Sequence, residues 1–160
     1  MSVRWKPLIV LSGLFVAVAL GGLVAFVLVS RQSNVDDVLA QARSAREAGQ
    51  FEEAEIYYLQ ANQFDSKRAE VHEEIAAFYG DWVTKADPSK RSHYQGLRLR
   101  HLLEATKFDK TALAPRRALL VESLKGDNLP EQIHWARQVI GLDPDDADAL
   151  TILAVAALNE

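Results

Sequence analysis

His72, Glu73 and Glu74 form the segment of this sequence that most resembles a site of chemistry. A zinc protease helix needs a second histidine four residues after the first, so that both rings meet one metal ion from one helix face. That position is Ala76, and the motif is absent. His93 and His101 stand eight residues apart, about 12 Å along a helix and too far to share a metal ion. Both are expected at the surface. His134 sits beside Trp135 with no carboxylate placed for general acid or base work. The chain has no cysteine, which excludes thiolate zinc sites, a cysteine nucleophile and disulfide staples. Gly21 and Gly22 lie inside an apolar run rather than in a phosphate loop. No catalytic, cofactor-binding or metal-binding residue is expected, and the chain is not read as an enzyme.

The elements that would position any site are helices, and the first of them differs from the rest. The 23 residues from Pro7 to Val29, PLIVLSGLFVAVALGGLVAFVLV, carry no charge. At about 1.5 Å per residue they span roughly 34 Å, enough to cross a hydrocarbon core of about 30 Å. A single-pass membrane helix over residues 7–30 is expected, after a basic tail over 1–6 and before a linker over 31–34. A cleaved signal peptide would have a shorter apolar stretch ending at a small-x-small site, whereas Leu28, Val29 and Ser30 precede Arg31. Gly13, Ala17, Gly21 and Ala25 recur every four residues and form a stripe on which another membrane helix could pack. The usual composition of membrane helices explains that stripe equally well. Arg4, Lys6 and the terminal amine before the span nearly balance Arg31, Arg43 and Arg46 after it. The short basic tail, like the start of a signal anchor, tips the reading to a cytoplasmic N-terminus and an exported, periplasmic or extracytoplasmic remainder.

From residue 35 the apolar period becomes about 3.6, and turn signals interrupt it at short intervals. Helices are predicted over 35–48, closed by Gly49, and over 51–63. A third is predicted over 67–85, with Val71, Ile75, Phe78, Tyr79 and Trp82 on its apolar face, and a fourth over 90–107 after Asp87 and Pro88. Pro115 suits the first turn of a fifth helix reaching residue 125, because its missing amide proton would be unpaired there. Pro130 opens a sixth to residue 140, with Asn128 as a nearby cap, and a seventh starts near Ala147.

Helix, tight turn and helix recur at a period near 34 residues. In the first unit Ala42, Ala45, Ala54 and Ala61 take small positions, Gly49 and Phe51 the turn, and Tyr58 an aromatic one. This pattern resembles the tetratricopeptide-repeat family, although Gln41 and Ser66 stand where leucine and proline are usual. The second unit keeps Ile75, Ala76, Tyr79, Leu102 and Ala105, with a turn stretched by roughly ten residues that lengthens both helices or projects a corner. The third keeps Leu119, Leu120, Ala136, Val139 and Pro144, while Arg116 and Ser123 replace larger apolar residues. A fourth, incomplete unit offers Leu150, Leu153, Ala154 and Ala157. The units span 35–68, 69–112, 113–146 and 147–160. The resemblance implies an all-α, right-handed solenoid of antiparallel helix pairs following the membrane helix. Such stacking needs small residues where backbones approach and aromatic ones where gaps must be filled. The seventh helix is apolar on most sides, whereas a terminal cap has a polar outer face, so continuation past Glu160 or a partner helix is expected.

The resemblance further implies a concave groove, lined by the first helix of each pair, that takes a protein or peptide partner. Here its lining would include Leu39, Arg43, Arg46, Glu70, Glu73, Glu74, Arg117 and Val121. It lacks the lysine and asparagine set with which some members clamp chaperone C-termini, so that partner is not carried over. Charge is arranged in blocks, net −7 over 36–81, +6 over 85–117 and −6 over 118–160. The basic band could attract an acidic segment or lipid headgroups, and ordinary solvated helix faces account for it equally. The net charge of −4 disfavours nucleic acid as a partner. Three functions remain. The leading one is a membrane-anchored scaffold in the assembly of an envelope complex. The others are the N-terminal interaction part of a longer membrane enzyme and a structural subunit packed through its membrane helix.

Overall fold

Gly49 makes the first reversal of the chain. Its φ of +76° lies in the left-handed region, which glycine enters without steric cost. Its amide donates to the Arg46 carbonyl at 3.0 Å, and the Gln50 amide donates to that of Ala45 at 2.9 Å. This paired closure satisfies carbonyls that a helix end would leave orphaned, and Phe51 starts the next helix at once.

The computed structural model describes residues 34–158. Within them α1 covers 34–47 and is followed by α2 (Phe51–Phe64), α3 (Ala69–Lys85), α4 (Pro88–Phe108), α5 (Leu113–Ser123), α6 (Leu129–Ile140) and α7 (Ala147–Leu158). No strand occurs among the described residues. From α2 onward each helix packs chiefly on its neighbours in sequence, which is the arrangement of a solenoid. The membrane helix expected over 7–30, with Gly13, Ala17, Gly21 and Ala25, lies outside the described residues. Among the described residues no helix is long and apolar enough to cross a membrane.

The first pair closes on Ala42 and Ala45 of α1 against Ala54, Tyr58 and Ala61 of α2, all buried. Alanine lets the backbones approach, and rings from the following helix fill the remaining space. The stretched second unit becomes two long helices, with 17 residues in α3 and 21 in α4. Ala86 and Asp87 make the corner, and Pro88 occupies the first turn of α4, ahead of the expected start at residue 90. Proline fits there because the turn leaves that amide unpaired anyway. Across the corner the rings of Trp82 and Tyr94 stack with centroids 4.2 Å apart. Together with Phe51, Tyr58, Phe78 and Tyr79 they form the core of the first four helices.

The second core is leaner. Leu120, Ala136, Val139, Ala149 and Ile152 bury α5, α6 and α7 together, and Ala76, Leu102 and Leu119 join that core to the first half. Asn128 caps α6 by accepting from the Glu131 amide. On α7 the buried stripe is Ala149, Ile152 and Ala156. Leu150, Ala154 and Ala157, expected at packing positions, are exposed, because α6 covers one side of α7 only.

Candidate functional site

Charged side chains lace α1 to α3. Arg43 donates from Nε to Glu74 at 2.9 Å, and Arg46 donates to Asp81 at 2.9 and 2.6 Å. Arg68 spans Asp36 on α1 at 2.6 Å and Glu70 on α3 at 2.5 Å. Each pair is partly exposed and worth little by itself, yet together they fix the register of the two helices. Tyr58 lies beside Arg46; burial raises its pKa and the guanidinium opposes that rise.

Between α3, α4 and α5 the surface opens into a cavity of about 400 Å³. Its walls are Ala76, Ala77, Leu102, Ala114, Pro115 and Ala118. Small residues create the space, since a larger side chain at the exposed Ala77 or Ala114 would occupy it. Arg46, Glu70, Glu73, Glu74 and Arg98 bring the charge. Arg98 reaches the cavity by crossing α3 at Gly80, where a Cβ would lie 3.2 Å from its Nε. Its guanidinium pairs with the buried Glu122 carboxylate of α5, which also accepts from Gln95 at 2.5 Å and Lys125 at 2.8 Å. Burial alone would raise the Glu122 pKa, but Lys125 and Arg98 hold it below the usual carboxylate range.

No family model matches the chain, and no curated protein matches it in sequence. Among solved structures it is similar to the first tetratricopeptide-repeat domain of Spaghetti (RPAP3) bound to the HSP90 peptide SRMEEVD. The TM-score is 0.57, with 14% identity, covering 80% of this chain and 95% of that one. The described helices have a tetratricopeptide-repeat-like fold. In this fold α1, α3 and α5 are the first helices of successive pairs, and the cavity opens where α3 and α5 stand side by side.

Four of the residues expected in the groove, Arg46, Glu70, Glu73 and Glu74, line this cavity, and Arg43 adjoins it through Glu74. Leu39 does not belong with them. It is fully buried, because its face of α1 packs into the first core. Arg117 and Val121 do not line the cavity. Arg117 is turned to the following unit, donating to Asp143 and Asp146 at 2.6 Å each, and Val121 is exposed on α5. Arg98 and Leu102 of α4 were missed, since the family pattern assigns the groove to first helices. Gly80, a small residue in the middle of an aromatic-rich helix, was the available signal.

His101, expected at the surface, is buried, and so is His72. Their Nδ1 atoms are 2.9 Å apart, and His72 Nε2 is 3.0 Å from the Ser66 carbonyl. A carbonyl only accepts, so in the uncharged pair His72 carries its proton on Nε2 and His101 donates from Nδ1. Burial, with His72 alongside, lowers the His101 pKa to about 4. The pair clasps α3 to α4. Among the described residues no three side chains are grouped to hold a metal ion. The basic band is partly internal, because Arg98, Arg116 and Arg117 are held by Glu122, by backbone carbonyls around the α4–α5 turn and by Asp143 with Asp146. Lys85, Lys90, Arg91, Arg100, Lys107 and Lys110 remain exposed.

Proposed function

We propose that this chain is a membrane-tethered scaffold, not an enzyme, whose repeats hold a peptide segment of a partner protein in the cavity between α3, α4 and α5. The cavity carries the reading. At about 400 Å³ it falls within the size of sites that seat small ligands and side chains, and it opens between the first helices α3 and α5, with α4 completing its wall. A domain of similar fold, the first repeat domain of Spaghetti (RPAP3), is bound to a peptide, which supports this use of the architecture. The uncharged run from Pro7 to Val29 supplies the tether. The basic tail favours repeats on the exported side, where a tethered scaffold serves the assembly of an envelope complex.

Two experiments test this reading. Ala77 and Ala114 are exposed within the cavity, so Ala77→Leu combined with Ala114→Leu fills it while leaving the core intact. Tagged full-length chain is purified from detergent-solubilised membranes in both forms. The partner recovered with the wild type is expected to be lost from the filled variant, with thermal unfolding unchanged; an identical partner profile would contradict the groove. Alkaline carbonate washing is expected to leave the chain in the membrane pellet. Recovery in the supernatant would remove the tether.

A further inference from the structure

The charges lining the cavity are matched except at one position. Arg46 pairs with Asp81, Glu70 with Arg68, Glu74 with Arg43, and Arg98 with Glu122. Glu73 makes no ion pair or hydrogen bond among the described residues, and its carboxylate is half-buried. Burial raises its pKa, and the nearby Asp109 and Glu70 add repulsion of the same sign. Asp109 is already occupied by the amide and hydroxyl of Thr111, each at 2.7 Å. A carboxylate withdrawn from water without a cation is unfavourable, and an incoming positive charge relieves that cost.

The shape of the space says which kind of cation fits. Glu73 stands one helical turn before Ala77 on the same face of α3, and Ala114 and Ala118 face it from α5 across the opening. These methyl groups leave a shallow apolar channel that ends at a carboxylate. Lysine and arginine match such a channel, because they bury the methylene stem along apolar surface while the charged head reaches a polar group. We infer that the docked segment is a basic one, placing a lysine or arginine stem along Ala77, Ala114 and Ala118 and its head on Glu73. This inference rests on the groove reading and adds the chemistry of the occupant. An acidic segment such as SRMEEVD, held by the similar repeat domain, would here meet like charge from Glu73 and Glu70.

The test offers immobilised full-length chain, in detergent, four pools of fluorescent decapeptides. Their positions are randomised over alanine, leucine, serine and glutamine, except for a central lysine, arginine, norleucine or glutamate. SRMEEVD is included as a fifth probe. The lysine and arginine pools are expected to be retained about tenfold above the norleucine pool, the difference a charge-assisted hydrogen bond makes. The glutamate pool and SRMEEVD are expected to stay at background. Glu73→Gln, which keeps the side-chain volume, should bring the lysine and norleucine pools to parity. Equal retention of those two pools by the wild type, or a lysine preference that survives Glu73→Gln, would overturn the basic occupant and leave the groove reading standing. Retention of every pool no better than by the Ala77→Leu, Ala114→Leu variant would overturn both.

Discussion

The first four helices and the last three bury themselves by different chemistry. α1 to α4 share a core of rings, in which Phe78 lies 4.9 to 6.0 Å, centroid to centroid, from Phe51, Tyr58, Tyr79 and Trp82. α5 to α7 bury aliphatic side chains and alanine, with the half-buried Trp135 packed against them. Two of their positions that a larger apolar residue would fill are Arg116 and Ser123, and both are buried. Arg116 donates to the carbonyls of Thr106, Asp109 and Ala112, which surround the turn from α4 to α5. Ser123 donates to the Leu120 carbonyl. One half is thus held by apolar area withdrawn from water, which acts collectively. The other has a smaller apolar core and places buried donors within it, each lost singly on substitution. The cavity sits at the seam, where α3 and α4 of the first half meet α5 of the second.

The contrast predicts where and how strongly each half yields. Phe78→Ala should cost about 3–5 kcal/mol, the range for emptying a buried aromatic site, seen as a lower urea midpoint by tryptophan fluorescence. A loss under about 1 kcal/mol would show that the rings are not the main support of α1 to α4. Acid attacks the same half through the histidine clasp. The folded-state pKa of His101, about 4, lies below its ordinary 6.5, so the unfolded chain takes up the proton first. Stability is therefore full above about pH 6.5, declines as pH falls towards 4 and levels off below that, by roughly 3 kcal/mol in all. His101→Leu should flatten that slope; an unchanged slope would mean that another group titrates there.

The second half should respond to loss of donors. Arg116→Met is expected to cost about 2 kcal/mol, because carbonyls are left without a partner. Amide exchange should then quicken in α5 and α6 while α1 and α2 keep their protection; equal quickening throughout would show that the halves open as one unit. Asp146→Ala should have the smallest effect, about 1 kcal/mol for a lost helix cap, read as a lower thermal midpoint. Asp146 accepts from the Ala149 amide at 2.9 Å and from Arg117 at 2.6 Å. The Ala149 bond, aided by Arg117, holds the carboxyl below the usual range. That contribution is present above the ordinary aspartate pKa and is lost as pH falls through the lowered one.

Helix ends could be read from the residues because they are decided locally. Gly49 supplies the left-handed turn, Asn128 an acceptor for an orphan amide and Pro130 the first turn of α6, whereas Pro88, read as part of a break, opens α4. Contacts between helices are another matter. His72 and His101 stand at equal sequence distance from the Ala86–Asp87 corner, and only the antiparallel register of two long helices brings them together. That register depends on whether the stretched turn projects as a corner or extends both helices, a choice that packing makes. The cavity was half visible for a similar reason. Glu70, Glu73 and Glu74 share the accessible face of α3, but Arg98 arrives from α4 through the gap at Gly80. Leu39 shows the opposite error, since the face of α1 that it occupies is already taken by the core.

Whether the repeats use the inner cavity can be decided by a photo-crosslinking residue placed, in separate experiments, at Ala77 within the cavity and at Ile56, which is 64% exposed on α2. In living cells a discrete adduct with one partner is expected from position 77 and none from position 56. Adducts from position 56 with none from position 77 would contradict a peptide docked between α3, α4 and α5.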